Sequence, residues 1–266
     1  MTVSANPTGP TPAQVWSTGD YADVCERMIP GLGARLVELA QARAGEDVLD
    51  VAAGSGNASL PAARTGASVT ALDITPELLE AGQRRSAEEG LEISWVQGDA
   101  QAMPFPEASF DHVLSCVGVQ FCADPGAAAA ELVRVCRPGG RIALIAWTPE
   151  GFIGRVLAAV TRASGGGARP RSLDWGSENE VTELFGDSAK EISFARESVT
   201  MPAPSAGAWV DYMATAYGPL ALARRALEGK GAWEPVREEL TAITSAHDVG
   251  DGDAFAAEYL TTVFSR

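Results

Sequence analysis

Lysine is almost absent from this chain. Lys190 and Lys230 are far apart, and 20 basic residues stand against 35 acidic ones, for a formal charge of −15 over 266 residues. A surface of that sign repels phosphate backbones and anionic headgroups, and no Lys/Arg run offers a basic groove. Neither nucleic acid nor a membrane is therefore an expected partner. Histidine is as scarce. His112 and His247 are widely separated, and the four cysteines (Cys25, Cys116, Cys122, Cys136) form no Cys-x-x-Cys pair. The ligand spacing of a zinc centre is missing, so no metal is expected, and the thiols read as reduced, buried residues of a cytoplasmic protein. No apolar run approaches the roughly 18 residues that span a bilayer. The polar start, MTVSANPTGPTPAQ, has no apolar segment of a secretory signal.

What is present is 46% hydrophobic residues arranged as an alternation of strands and helices. Residues 1–10 read as a disordered tail, and short helices follow across 12–44, forming an N-terminal cover. The spacing then predicts strands at Val48–Ala52, Val69–Asp73, Ile93–Gln97, His112–Val117 and Ile142–Trp147. Thr75-Pro76-Glu77 and Asp124-Pro125 are helix starts, each with a capping side chain followed by proline at the first helical position. Arg137-Pro138-Gly139-Gly140 reads as a tight turn into the fifth strand, and Gly165–Pro170 as a flexible connector. Beyond it, 178–185 is helical, 190–200 alternates like a strand, 205–246 is helical with breaks at Gly218-Pro219 and Gly229–Gly231, and AFAAEYLTTVF closes the chain as a strand. The expectation is an α/β fold with a mostly parallel, Rossmann-like sheet whose last strand is antiparallel. It divides into the cover (1–45), the core (46–150), and a completing segment (151–266) with a helical lid at about 205–246.

The chemistry concentrates in VLDVAAGSGNASLPAARTGASVTALD, residues 48–73. A strand ends in Asp50, a Gly54-Ser55-Gly56 turn follows, and the next strand ends in Asp73. A third carboxylate, Asp99, follows the third strand. Parallel strands put all three acids on one sheet edge beside a turn that allows close backbone approach, which is where open α/β sheets bind ligands. Asp50 and the Ala52–Gly56 turn would face an amino-acid-like end, Asp73 a ribose, and Asp99 the exocyclic amine of an adenine. Ser59 stands where a dinucleotide fingerprint carries its third glycine, and no cationic cluster awaits a pyrophosphate.

On these residues the chain resembles class I S-adenosylmethionine-dependent methyltransferases, closest to the small-molecule group that includes the ubiquinone/menaquinone-biosynthesis C-methyltransferases. VLDVAAGSGN is similar to the cofactor loop, ALDITPELLEAG to the ribose strand and its helix, QGDAQAMPFPEASFDHVLS to the adenine segment, and ELVRVCRPGGRIALIAW to the fifth strand. Ala52 stands where the family's loop has its first glycine. The resemblance implies that S-adenosyl-L-methionine is the cofactor and S-adenosyl-L-homocysteine the product. It further implies that Asp50, Ala52, Gly54 and Gly56 hold the methionine, Asp73 the ribose and Ile74 the adenine face. Asp99 and Ala100 would read the adenine edge, with Ser115 near the methionine backbone or sulfur and Tyr21 and Trp16 closing over the cofactor.

Methyl transfer from a sulfonium is an in-line displacement that needs positioning and dryness, and a base only when the nucleophile must lose a proton. His247 is the candidate base, whereas His112 reads as structural. Trp16, Gln120, Phe121, Trp175, Trp209, Tyr212 and Tyr217 either line an apolar acceptor pocket or form the lid's own core. The expected activity is methylation of a small apolar or aromatic metabolite by a monomer or homodimer. The rivals are a cofactor-binding protein of the same fold that performs cyclase-like chemistry, and an NAD-dependent oxidoreductase.

Overall fold

A computed structural model describes residues 10–167 and 170–266. The tail expected over 1–10 and the middle of the 165–170 connector lie largely outside the described residues. Three helices open the described chain: α1 (Pro12–Trp16), α2 (Tyr21–Met28) and α3 (Leu32–Ala40). Then follow β1 (Asp47–Val51), α4 (Ser59–Arg64), β2 (Ser68–Asp73), α5 (Pro76–Glu88), β3 (Ile93–Gln97), β4 (Phe110–Cys116), α6 (Pro125–Val135) and β5 (Cys136–Trp147). The second half contributes α7 (Phe152–Ala163), α8 (Glu178–Phe185), β6 (Lys190–Pro202), α9 (Ala206–Ala216), α10 (Gly218–Glu228), α11 (Trp233–Ser245) and β7 (Ala254–Ser265).

The seven strands lie in the order β3-β2-β1-β4-β5-β7-β6. Pairs among β1 to β5 are parallel, and β7 runs antiparallel to both of its neighbours. The order reverses between β1 and β4, so their carboxyl ends flank a crevice open to a ligand. Near-continuous apolar strands such as Val48–Val51 are buried because helices cover both faces.

Local chemistry sets the boundaries, and three of the departures from the sequence expectation have a direct cause. β1 stops at Val51, because Ala52 turns to a left-handed φ of 54°. β4 stops at Cys116 for the same reason, with Val117 at φ 66°. The expected turn at Arg137–Gly140 is instead a bulged start of β5. Gly139 N–H donates to the Arg266 carbonyl and Arg266 N–H to the Gly140 carbonyl, so the C-terminus holds this stretch extended. Asp124 caps α6 through Ala127 N–H at 3.0 Å, and Asp20 caps α2 through Asp23 N–H at 3.1 Å.

Helices α9 to α11 are inserted between β6 and β7. Trp209 on α9 packs on Phe152 of α7 with ring centroids 4.6 Å apart, and Tyr212 donates to Asp23 of α2 at 2.8 Å. Tyr217, between α9 and α10, meets Trp16 at the end of α1 at 5.7 Å. Insertion and N-terminal cover thus close over the carboxyl edge of the sheet together. No helix among the described residues is long and apolar enough to cross a membrane.

Candidate active site

The cleft at the β1/β4 crossing point is built around Asp73. Its Oδ2 accepts the Gly54 N–H and its Oδ1 the Thr75 N–H, each at 2.8 Å. One carboxylate therefore fixes both the glycine turn after β1 and the start of α5, while each oxygen keeps a further lone pair for a ligand. Asp73 is 7% exposed, and burial raises its pKa despite the two N–H donors.

Asp50 sits one layer below. It is 1% exposed, Oδ2 accepts the Ser59 hydroxyl at 2.6 Å, and Oδ1 has no hydrogen-bond partner among the described residues. Burial pushes its pKa up to about 7, with the Ser59 bond opposing the shift and the Asp73 charge adding to it. Ser59 thus has a role that a glycine could not fill. Arg85, on α5, clamps the turn from outside by donating to the Ser55 carbonyl at 2.8 Å, and it pairs with Glu26 at 3.2 Å. Sequence reading missed Arg85; its signal was a cation on the helix that follows the ribose strand.

The turn itself is tightly constrained. A Cβ on Gly56 would fall 2.4 Å from Leu60 and 2.7 Å from Trp95, whereas one on Gly54 would meet only Tyr21, at 3.9 Å, across the cleft. Gly54 is where the backbone opens to a ligand and Gly56 is where it packs. Ala52 holds its left-handed conformation next to Gly118, where a Cβ would lie 2.4 Å from the Ala52 carbonyl oxygen and 2.5 Å from its Cβ. The extra methyl at 52 is accommodated by a glycine across the cleft floor.

Of the residues expected at the cofactor, Tyr21, Ala52, Gly54, Asp73, Ile74, Asp99 and Ala100 line this cleft. Asp99 is steadied by Gln101, whose backbone N–H and side-chain amide both donate to it at 2.9 Å. Asp50 and Gly56 shape the cleft from beneath. Ser115 does not reach it: it is fully buried, donating to the Val51 carbonyl at 2.7 Å and accepting the Val119 N–H at 3.1 Å, so it pins the chain after β4. Three of the four cysteines, Cys25, Cys116 and Cys122, also line the cleft, a placement their apolar sequence settings concealed. Burial raises all three thiols, Cys25 and Cys122 to about 12, and so keeps them protonated. No Lys, Arg or His is among the described residues lining the cleft.

A second hollow opens behind Tyr21, Ile29 and Phe121, which belong to both walls. It is apolar, built from Met28 of α2, Val156 of α7, Met201 of β6 and Trp209 and Met213 of α9, with Trp147 and Tyr217. Where the two hollows meet, Trp16 packs edge-on against Tyr21 (5.1 Å), Phe121 (4.9 Å) and Tyr217 (5.7 Å). Trp16, Phe121 and Tyr217 therefore stand at the neck between the two hollows.

The other acceptor candidates do not. Gln120 is fully buried, and its Oε1 accepts the Trp147 N–H at 2.9 Å, which ties the turn after β4 to β5. Trp175 is 1% exposed and packs on Phe185 at 5.9 Å, in the core on the other face of the sheet. Tyr212 lines neither hollow, its hydroxyl being held by Asp23 of α2. His247 is also corrected. Its Nδ1 lies 2.8 Å from the Ile243 carbonyl and its ring stacks on Phe152 at 5.4 Å, outside both hollows, so it is a packing residue.

Residues 49–144 match a family model described as a methyltransferase domain. An uncharacterized protein of Mycobacterium tuberculosis is 48% identical over 208 residues, covering 77% of this chain and 76% of that one. A demethylmenaquinone methyltransferase of Renibacterium salmoninarum is 38% identical over 117 residues, 44% of this chain and 48% of that protein. The crystal structure of the YcgJ protein from Bacillus subtilis superposes with a TM-score of 0.62 at 20% identity, covering 88% of this chain and 97% of that one, and shares the fold.

Proposed function

Because the chain belongs to the methyltransferase family whose domain model matches residues 49–144, we propose that the cleft binds S-adenosyl-L-methionine and that the protein methylates a small apolar molecule held in the hollow behind Tyr21. The observation that carries this reading is the cleft's charge pattern. A buried carboxylate holds the glycine turn with lone pairs to spare, and no cation is among the described residues that line the walls. That pattern suits ribose hydroxyls and a cationic ligand end, and it offers nothing to a pyrophosphate.

The residues fit the cofactor. The partnerless Oδ1 of Asp50 lies under the turn, and Gly54 leaves its side of the backbone open. Ala52 and Gly54, with Asp50 beneath, would hold the amino-acid end, Asp73 the ribose, Ile74 the adenine face and Asp99 and Ala100 its edge. When bound, the cofactor supplies an activated methyl carbon. The chain's contribution is positioning and exclusion of water by the Trp16–Tyr21–Phe121–Tyr217 cluster, effects that can be worth on the order of 7–11 kcal/mol.

Calorimetric titration with S-adenosyl-L-homocysteine, with NAD as the control ligand, tests the cofactor. Asp99→Ala is the better variant, since Asp73→Ala would also release the turn. Binding of the homocysteine compound that weakens at least tenfold in Asp99→Ala is expected. No binding of it, or binding of NAD instead, refutes the assignment.

A further inference from the structure

The hollow behind Tyr21 says more about its occupant than its apolarity does. Among the described residues that line it there is no Asp, Glu, His, Lys, Arg or Cys. Its only groups with an ionisable proton are the Tyr21 and Tyr217 phenols, and burial raises both, so each can donate a hydrogen bond but cannot take a proton at neutral pH. The titratable groups across the neck, on the cofactor side, are equally unsuited. Cys25, Cys116 and Cys122 are protonated thiols. Asp73 is engaged by two backbone N–H groups, and Asp99 by Gln101. Asp50 lies beneath the turn, bonded to Ser59.

An anionic nucleophile in this hollow would be a buried charge without a partner, which is prohibitively costly. A phenol or carbon acid would need a base, and none is present among the described residues that line the hollow. A neutral nitrogen meets neither obstacle. The neck it must approach consists of four aromatic rings, Trp16, Tyr21, Phe121 and Tyr217, with neighbouring centroids 4.9–6.1 Å apart, and aromatic faces stabilise a cationic centre.

We infer that the acceptor is an uncharged, apolar molecule whose reacting atom is a nitrogen with a free lone pair, a weakly basic amine or N-heterocycle, and that the protein methylates it without a general base. This inference rests on the cofactor assignment above. In the step, the nitrogen lone pair forms the new N–CH3 bond as the methyl–sulfur bond breaks, and the bonding pair stays on sulfur. The positive charge passes from sulfur to nitrogen beside the aromatic neck. Any N–H proton leaves to water after the product departs, so no further reactant is needed.

The test uses the full-length protein and two probes of one shape, 4-phenylimidazole and 4-phenylphenol. Quenching of tryptophan fluorescence reads binding in the hollow, where Trp147 and Trp209 report, and product mass reads transfer. Both probes are expected to bind. 4-Phenylimidazole is expected to be methylated with a kcat that stays flat from about pH 8 to 9, above the range in which Asp50 ionises, and 4-phenylphenol to lag by about 10²–10⁴-fold, the usual worth of a base. Leu157→Trp, at the wall of the hollow only, should abolish probe binding while leaving calorimetric affinity for S-adenosyl-L-homocysteine within about twofold. Comparable transfer to the phenol, a kcat that titrates with a protein group, or binding of 4-phenylimidazole without transfer overturns the inference. If S-adenosyl-L-homocysteine itself fails to bind, the cofactor assignment is what falls.

Discussion

Asp50 carries a cost that pH should reveal. Its carboxyl is 1% exposed, and burial lifts its pKa from the ordinary 3.8 to about 7. The folded state therefore binds the proton more tightly than the unfolded chain. Below pH 4 both states hold the proton and Asp50 costs nothing. As pH rises the unfolded state ionises first, and stability falls until the folded carboxyl also ionises near pH 7. At about 1.4 kcal/mol per pKa unit the full loss is roughly 4 kcal/mol, of which about 3 falls between pH 5 and 8. The perturbation is Asp50→Asn, which preserves the acceptor for Ser59 and removes the charge. The amide adds a buried donor where Oδ1 has no partner, a penalty of about 1–3 kcal/mol that does not vary with pH.

The assay is urea unfolding of both proteins, without added ligand, from about pH 5 to 8. Carboxylates held low by ion pairs, such as Glu131 beside Arg134 and Glu197 beside Arg35, lose their stabilisation as pH falls. They are common to both proteins and cancel in the difference. The variant should gain on the wild type by about 3 kcal/mol from pH 5 to 8. A difference that stays constant with pH refutes the argument, because it would mean that the buried carboxyl finds compensation beyond Ser59.

Two further outcomes follow from the same cleft. Asp73→Ala strands the buried N–H groups of Gly54 and Thr75, so it should lose about 2–6 kcal/mol of unfolding free energy in urea; a loss under about 1 kcal/mol would show that the turn does not depend on the carboxylate. Gly118→Ala drives a methyl into the backbone of Ala52 and should destabilise by at least about 1–3 kcal/mol while weakening calorimetric binding of S-adenosyl-L-homocysteine; unchanged affinity would separate the cleft floor from the ligand.

The cofactor edge was legible in the sequence because it is a property of strand ends. Once a strand is parallel and a ligand crevice sits at its carboxyl terminus, a residue's position along the chain decides which edge it occupies. Asp73, Asp99, Gly54 and Ala100 follow from that rule. The boundaries slipped by one residue at Ala52 and Val117 because both adopt left-handed backbone that their side chains disfavour, which propensity cannot foresee. Ser115 obeys the rule for position and escapes it in orientation: strand alternation turns its hydroxyl onto the Val51 carbonyl rather than into the cleft.

The second hollow follows no such rule. Its walls come from α2, α7, α9, β6 and the turn after β4, and each contributes residues that look like ordinary core. Trp175 and Trp209 are equally buried, yet one packs behind the sheet and the other faces the hollow. Only the tertiary partner, Phe185 or Phe152, distinguishes them. The same holds for His247, whose Phe152 neighbour is 95 positions away in the sequence. Cofactor chemistry is written at fixed stations of the sheet and can be read one strand at a time. Acceptor specificity is set by which faces of inserted helices meet, and a single sequence records the faces without recording the meeting. Substitutions that redirect this protein to a different acceptor should therefore fall on α7, α9 and β6 and leave the strand-end carboxylates untouched.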